Sequence, residues 1–161
     1  MVNMDKQKIL TLIIAQLSAD LDVCEQAVSI ARDTAVHADC LGSSKYETMG
    51  LEASYLAQGQ GKRLLEVERA LAYFEQLSLP APSPVIGLSS LVVLADEHHE
   101  QRYLWLAADA GGLKIDYADT PITIITVKSP LGSALVGKAS GDEFEVCIAG
   151  KTRAYTVVST C

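Results

Sequence analysis

The residues best suited to chemistry in this chain are two carboxylates in a short polar stretch between two helical patterns. The stretch runs from His37 to Glu47 and includes Gly42. Asp39 is the carboxylate nearest its middle, and Glu47 is the next one along the chain. Carboxylate oxygens can bind divalent cations or accept protons. Asp39 and Glu47 are therefore the candidate functional residues, and the elements on either side must position them.

A second polar cluster, Asp96-Glu97-His98-His99-Glu100, contains residue types that are common metal ligands. Adjacent histidines on an extended chain point to opposite faces, however. The only further histidine available to complete a site is His37. We therefore interpret the cluster as a solvated turn between two strands.

Three other enzymatic or metal-binding patterns fail on spacing. The segment Gly59-Gln60-Gly61-Lys62-Arg63 lacks the four residues between glycines and the following Ser or Thr of a phosphate-binding loop. Its glycines are expected to mark a close helix contact or a bend. Neither Ser129 nor Ser133 lies in a G-x-S-x-G elbow. The cysteines form no C-x-x-C pair and are interpreted as free thiols: Cys24, Cys40, Cys147 and Cys161.

The flanking segments predict two long helices, because their apolar residues recur every three or four positions. In the first segment these are Ile9, Ile13, Leu17, Leu21, Cys24, Val28, Ala31 and Ala35. In the second they are Met49, Ala53, Leu56, Leu64, Val67, Leu71 and Phe74. Joined by a short turn, they predict an antiparallel coiled-coil hairpin, in which a helix of about 30 residues extends roughly 45 Å. The alternative is a hairpin that packs against the rest of the chain as ordinary core.

The remainder predicts a small sheet covered by one helix. Three prolines between Leu79 and Pro84 end the second helix and stiffen the connection. Five β-type runs follow, at 88–94, 103–107, 122–127, 144–148 and 155–158. Ser129-Pro130, with Gly137 beyond, has the cap residues of a short helix. The predicted organisation is an arm at 1–78, a linker at 79–84 and a sheet domain at 85–161, an α+β fold.

The charge balance favours a protein partner. Thirteen basic and twenty acidic residues give a net charge of −7, which disfavours wide contact with a phosphate backbone. We expect no sequence-specific DNA binding. The amino terminus has neither the apolar run nor the small-residue cleavage site of a signal peptide, and no membrane contact is expected. A cytoplasmic protein is the expectation.

Several segments resemble one protein family. Ile125–Lys138, reading Ile-Thr-Val-Lys-Ser-Pro-Leu-Gly-Ser-Ala-Leu-Val-Gly-Lys, is followed by Gly141–Val146, reading Gly-Asp-Glu-Phe-Glu-Val. This order of strand, Ser-Pro, short helix and Gly-Asp resembles the carboxyl-terminal signature of bacterial Gre-type transcript cleavage factors (GreA/GreB-like). Ala27–Arg32 resembles the family's Ala-x-x-x-Ala-Arg near the end of the first helix. Lys45–Leu56 resembles a segment of a Gre-like subgroup.

The resemblance implies a coiled-coil arm inserted through the secondary channel of RNA polymerase, with an FKBP-like domain docked at the channel rim. Acidic tip residues of the family help to bind the polymerase's second Mg²⁺ and promote cleavage of backtracked RNA, near the RNA 3′ end. Carried over, that role falls to Asp39 and, with it, Glu47. The chain would have no catalytic site and no cofactor of its own, the Mg²⁺ being the polymerase's.

The tip departs from the family pattern in one respect. Where the family has two closely spaced acidic residues, Asp39 is followed by Cys40, Leu41, Gly42 and two serines. Two functions therefore remain open: stimulation of transcript cleavage, or regulation of initiation or elongation by occupying the channel. A third alternative, a prolyl isomerase or peptide-binding module, is based on fold analogy alone.

Overall fold

The structure is a computed structural model that describes residues 4–41 and 44–161, with side chains described outside residues 35–57. The chain divides into two compact units. One unit contains the amino-terminal residues through Ile13 together with Leu77–Cys161, and the other is Ile14–Gln76. The start of the first helix, placed in the arm from the sequence, thus groups with the sheet. No helix in the described part of the chain is long and apolar enough to cross a membrane.

Helix α1 spans Lys6–Leu41 and helix α2 spans Ser44–Glu75. Asp5 caps α1, because its Oδ1 accepts hydrogen bonds from the backbone N–H groups of Gln7 (3.0 Å) and Lys8 (3.3 Å). The predicted break is shorter than expected, since α1 continues through His37–Leu41. None of those five residues is a glycine or proline, so local propensity does not end the helix before Leu41.

The unit Ile14–Gln76 is a helical hairpin, as predicted. Its buried side chains are Leu17, Cys24, Val28 and Ala31 from α1, and Val67, Ala70 and Phe74 from α2. They confirm most of the predicted stripes among the described side chains, although the predicted Leu21, Leu64 and Leu71 are only partly buried and Ala70 was not predicted. The predicted Ala35, Met49, Ala53 and Leu56 lie outside the described side chains. The polar outer positions of α2 include exposed Lys62, Arg63 and Glu68. At 1.5 Å per residue, the 32 residues of α2 extend roughly 48 Å.

Gly59 and Gly61 lie inside α2, and the expectation of a close helix contact there is wrong. Among the described residues, a Cβ added to either glycine would meet nothing within 4 Å. Helix packing therefore does not require glycine at these two positions. The other expectation for these glycines, a bend in the helix, stays a prediction. Glycine within a helix costs about 1 kcal/mol relative to alanine in either case.

The other unit contains a six-stranded sheet in the order β3-β4-β2-β1-β6-β5. The strands are β1 Leu91–Ala95, β2 Gln101–Ala107, β3 Lys114–Tyr117, β4 Thr120–Thr126, β5 Glu143–Ile148 and β6 Lys151–Thr160. Strands β2 and β4 pair in parallel, and the other pairs are antiparallel. Strand β3 was missed from sequence because its four residues bury only Ile115, too little for a visible period.

Helix α3 spans Pro130–Leu135 and covers one face of the sheet. The core on this face includes Val92, Leu94, Leu104, Leu106, Leu135, Val146, Tyr155 and Val157. Trp105 lies between Leu104 and Leu106 on β2, so it points to the opposite face, where it is fully buried. Ile124 of β4 pairs with Trp105, and Ile122 lies two positions before Ile124; both are also fully buried on that face. The sheet therefore has two apolar faces.

The first turns of α1 belong to the same unit and supply apolar side chains to it: Ile9, Leu10 and Ile13, all buried. Lys6 Nζ lies 5.5 Å from the centroid of the Trp105 ring and donates a hydrogen bond to the Cys161 carbonyl oxygen at 3.2 Å. Burial lowers the pKa of Lys6, and attraction to Cys161 opposes that shift. Lys6 is thus a packing contact of the sheet unit rather than a free surface charge.

Candidate functional site

The helix bounds place both candidate carboxylate residues close to the connection of the hairpin. Asp39 lies in the last turn of α1, two residues before Leu41. Glu47 lies in the first turn of α2, three residues after Ser44. Both are therefore within about one helical turn, 3.6 residues, of the helix ends that face the connection. Their side chains lie outside the described residues, so the proposed Mg²⁺ ligation stays a prediction.

The Asp96–Glu100 cluster forms the turn between β1 and β2, as predicted. Asp96 Oδ1 accepts hydrogen bonds from the backbone N–H of His98 (2.8 Å) and of Glu100 (3.0 Å). His99 adopts a positive φ of 63°. Within the described part of the chain, no three His, Cys, Asp or Glu side chains are arranged to hold a metal ion.

The environment of Asp96 favours its charged form. Desolvation would raise the pKa of Asp96, but the backbone hydrogen bonds from Glu100 and His98 lower it, and the charges of His98 and Arg102 add to that effect. The net result is a pKa below the usual value for aspartate. The carboxylate stabilises the turn, and this explains why an acidic residue suits its first position.

The Ser-Pro motif before α3 is a helix cap, which confirms the predicted start of that helix. Ser129 Oγ accepts a hydrogen bond from the Gly132 N–H at 3.0 Å and donates one to the Thr126 carbonyl oxygen at 2.7 Å. Pro130 occupies the first helical position, and Gly137 beyond the helix has a φ of 87°. The Ser129 hydroxyl thus uses both its donor and its acceptor capacity to join β4 to α3. This structural role accounts for the Ser-Pro motif, and no role of Ser129 as a nucleophile is needed to explain it.

The Gly-Asp motif after α3, Gly141-Asp142, also has a structural role, because it forms a hydrogen-bonded turn. Gly141 has a φ of 91°, and its N–H donates to the Val157 carbonyl oxygen at 2.7 Å. Asp142 Oδ2 accepts from the Ala139 N–H at 2.8 Å, while the Asp142 carbonyl oxygen accepts from the Val157 N–H at 2.8 Å. The pair therefore turns the chain into β5 and fixes it beside β6.

The most buried aromatic residues of this unit belong to its core. Trp105 is fully buried, and Tyr155 is nearly so. The rings of Phe144 and Tyr155 stack with centroids 5.8 Å apart. Trp105 Nε1 is a buried donor without a hydrogen-bond partner among the described residues. These aromatics stabilise the sheet unit through packing.

Comparison with known proteins gives a consistent result. A family model described as "Transcription elongation factor, GreA/GreB, C-term" matches residues 81–160. The transcription elongation factor GreA of Cereibacter sphaeroides is 31% identical over 124 residues, which cover 76% of this chain and 76% of that protein. GreA of Rhodospirillum rubrum is 28% identical over 140 residues, covering 87% and 82% of the two chains.

Among solved structures, one described as the structure of the transcription factor Gfh1 aligns with 92% of this chain and 93% of its own length. The TM-score is 0.41 and the sequence identity is 20%. A likeness of this size carries no functional argument. The sequence relatives and the family model carry the assignment.

Proposed function

This chain belongs to the GreA/GreB family of transcription elongation factors, and on that premise we propose that it binds RNA polymerase and inserts its helical hairpin into the polymerase's secondary channel. Gre factors act through RNA polymerase and are not enzymes themselves. The observation that carries the proposal is the 31% identity to a GreA over three quarters of both chains. The cytoplasmic location stays a prediction.

The dimensions of the hairpin support insertion. From Ile14 to the end of α1 the chain has 28 helical residues, which extend roughly 42 Å. That length exceeds what a small core requires. In the proposal the hairpin tip reaches the polymerase active site and the RNA 3′ end, and the sheet unit docks at the channel rim.

Asp39, with Glu47, is proposed to contribute oxygen ligands to the Mg²⁺ of the polymerase. Asp39 lies in the last turn of a helix, where the helix dipole is negative. A bound cation would relieve that unfavourable interaction, and this favours Asp39 over a carboxylate placed mid-helix. The chain itself needs no resident cofactor in this scheme.

Two outcomes of insertion are distinguished by the tip. With an effective pair of carboxylates, the factor stimulates cleavage of backtracked RNA. With Asp39 alone, followed by Cys40 and Leu41, it occupies the channel and regulates initiation or elongation. The spacing of the acidic residues favours the second outcome, because Glu47 lies eight positions after Asp39 on a different helix. The isomerase alternative is not favoured, since the relatives are transcription factors.

The test is a paired measurement on purified proteins. Binding to RNA polymerase is measured first, and RNA shortening is then measured in a stalled, backtracked complex with Mg²⁺. The variants are Asp39→Ala and Glu47→Ala, with Asp22→Ala, an exposed carboxylate near the middle of α1, as the matched control. Absence of binding by the unmodified protein would overturn the proposal.

The remaining outcomes divide the two modes. Binding without RNA shortening assigns the regulatory mode. RNA shortening that is lost in Asp39→Ala but retained in Asp22→Ala assigns the cleavage mode to the tip. Equal shortening by all three variants would remove the tip carboxylates from the mechanism.

A further inference from the structure

Three basic residues of the sheet unit converge on one surface. Arg102, Lys151 and Arg153 line a cavity of about 410 Å³ and also the adjoining cavity of about 600 Å³. They are the only residues common to both linings. The chain as a whole carries a net charge of −7, so a cluster of three positive charges contrasts with the excess of acidic residues in its sequence.

The strand register explains why the three side chains share a face. Arg102 on β2 pairs with Leu94, and Arg153 on β6 pairs with Val146. Both partners belong to the core on the α3 side of the sheet. Lys151 precedes Arg153 by two positions, so strand alternation puts it on that face as well. All three cations therefore emerge beside α3.

These cations have no ion-pair partner within the described part of the chain. No described carboxylate lies within 4.0 Å of the charged atoms of Arg102, Lys151 or Arg153, whereas the ion pairs that are present involve Lys8 and Arg63. Asp96 is near enough for Arg102 to influence it, but its Oδ1 is used by the β1–β2 turn. Carboxylates line only the larger cavity, so the positive charge of the three cations is uncompensated on the side of the smaller one.

The smaller cavity adds an apolar floor. Besides the three cations it is lined by Leu131, Ile148, Ala149 and Tyr155. Ile148 is 41% exposed, so it adds accessible apolar surface beside the three cations. A complementary occupant must therefore supply both negative charge and apolar surface.

We propose that this surface, defined as Arg102, Lys151, Arg153, Leu131 and Ile148, binds a segment of a protein partner in which one or two carboxylates flank a large apolar side chain. The carboxylates pair with the cations and the apolar side chain covers Leu131 and Ile148. The proposal is independent of tip function, because every residue in it belongs to the sheet unit.

The charges on the larger cavity favour a protein segment over nucleic acid. Asp96, Glu97 and Glu100 line that cavity together with the cations. A phosphate backbone carries a charge at every nucleotide and would meet these carboxylates. A peptide with only one or two carboxylates can contact the cations and avoid them, and Coulomb complementarity of this kind governs specificity at protein interfaces.

The test is a fluorescence anisotropy titration of the full chain with a labelled peptide that contains Asp-Glu-Leu-Phe-Glu. The variant Arg102→Gln/Lys151→Gln/Arg153→Gln is compared with the matched control Lys62→Gln/Arg63→Gln/Lys128→Gln, which also removes three exposed positive charges. Circular dichroism establishes that both variants are folded. We expect the first variant to bind at least about tenfold more weakly and the control to bind within about twofold of the unmodified protein.

Ile148→Ser separates the apolar contribution, and we expect it to weaken the peptide several-fold because an exposed apolar contact is lost. Absence of saturable binding to the unmodified protein, or equal weakening by the control triple variant, would overturn the proposal. So would equally tight binding of a Lys-Lys-Leu-Phe-Lys peptide. Complete displacement of the peptide by inorganic phosphate or by single-stranded oligonucleotide would replace it with a general anion site.

Discussion

Gly132 lies directly against the carbonyl oxygen of Thr126, so closely that a Cβ at position 132 would overlap that oxygen. The contact joins the first turn of α3 to the end of β4, beside the Ser129 cap. Glycine is required at position 132 because the Thr126 carbonyl group occupies the space of a side chain, and not because the backbone has a positive φ there. The order Ser-Pro-Leu-Gly at positions 129–132 therefore has a steric reason in this chain.

Replacing Gly132 should destabilise the fold. Gly132→Ala forces β4 and α3 apart, and overpacking of this kind costs about 1–3 kcal/mol. Denaturant unfolding measures the change in free energy. Gly61→Ala is the control, because a Cβ there meets open space; alanine in a helix should raise stability by up to about 1 kcal/mol. Equal effects of the two substitutions would contradict the packing described here.

Removing the Ser129 hydroxyl should lower the free energy of unfolding by about 1 kcal/mol, since the cap on α3 is lost. Ser133→Ala is the matched control, because Ser133 is exposed and its side chain does not cap the helix. The same denaturant assay applies. A Ser129→Ala variant as stable as the Ser133→Ala variant would show that the hydroxyl contributes nothing to the helix start.

The two leucines of α3 should differ in effect. Leu135 is fully buried in the core beneath the helix, while Leu131 is only partly buried. Leu135→Ala should therefore cost about 2–5 kcal/mol and Leu131→Ala distinctly less. Val136→Ala, at a residue that is 48% exposed, provides the surface reference. Thermal unfolding that ranked Leu131 above Leu135 would contradict this arrangement.

Stability should depend on pH through Asp96. Because the pKa of Asp96 is lowered in the folded state, its contribution is present above the unfolded value of 3.8 and is lost as pH falls through the folded value. The advantage of the unmodified protein over Asp96→Asn should therefore be present near pH 6 and shrink below about pH 4. An advantage that grew on acidification would contradict the lowered pKa.

Sequence periodicity was sufficient for the hairpin and for most of the sheet, because the stripes of α1 and α2 and the longer strands are regular. It missed β3, where a single buried residue, Ile115, leaves no period. It also misjudged Gly59 and Gly61, since a glycine in a helix does not reveal whether a neighbour is close. The grouping of the first turns of α1 with the sheet involves contacts such as that between Lys6 and Trp105. These two residues are 99 positions apart, so no local sequence pattern encodes their contact.

The candidate sites show the same limit. The alternation of Lys151, Arg153 and Tyr155 along β6 was a readable signal for one face of a strand, but Arg102 comes from a different part of the sequence. Only the sheet order brings them to one surface. Asp39 and Glu47 were selected from the family resemblance and their place between the helices, and their role in the polymerase remains the proposal to be tested.

The most direct test replaces Tyr46, beside Glu47, with a photo-crosslinking benzoylphenylalanine and irradiates the factor bound to RNA polymerase. Tyr117 of β3, in the sheet unit, takes the same substitution in a parallel sample. The account predicts a crosslink from position 46 to polymerase residues next to the active-site Mg²⁺, and none there from position 117. A crosslink from position 46 only to the outer surface of the polymerase, or no crosslink from it at all, would contradict insertion of the hairpin.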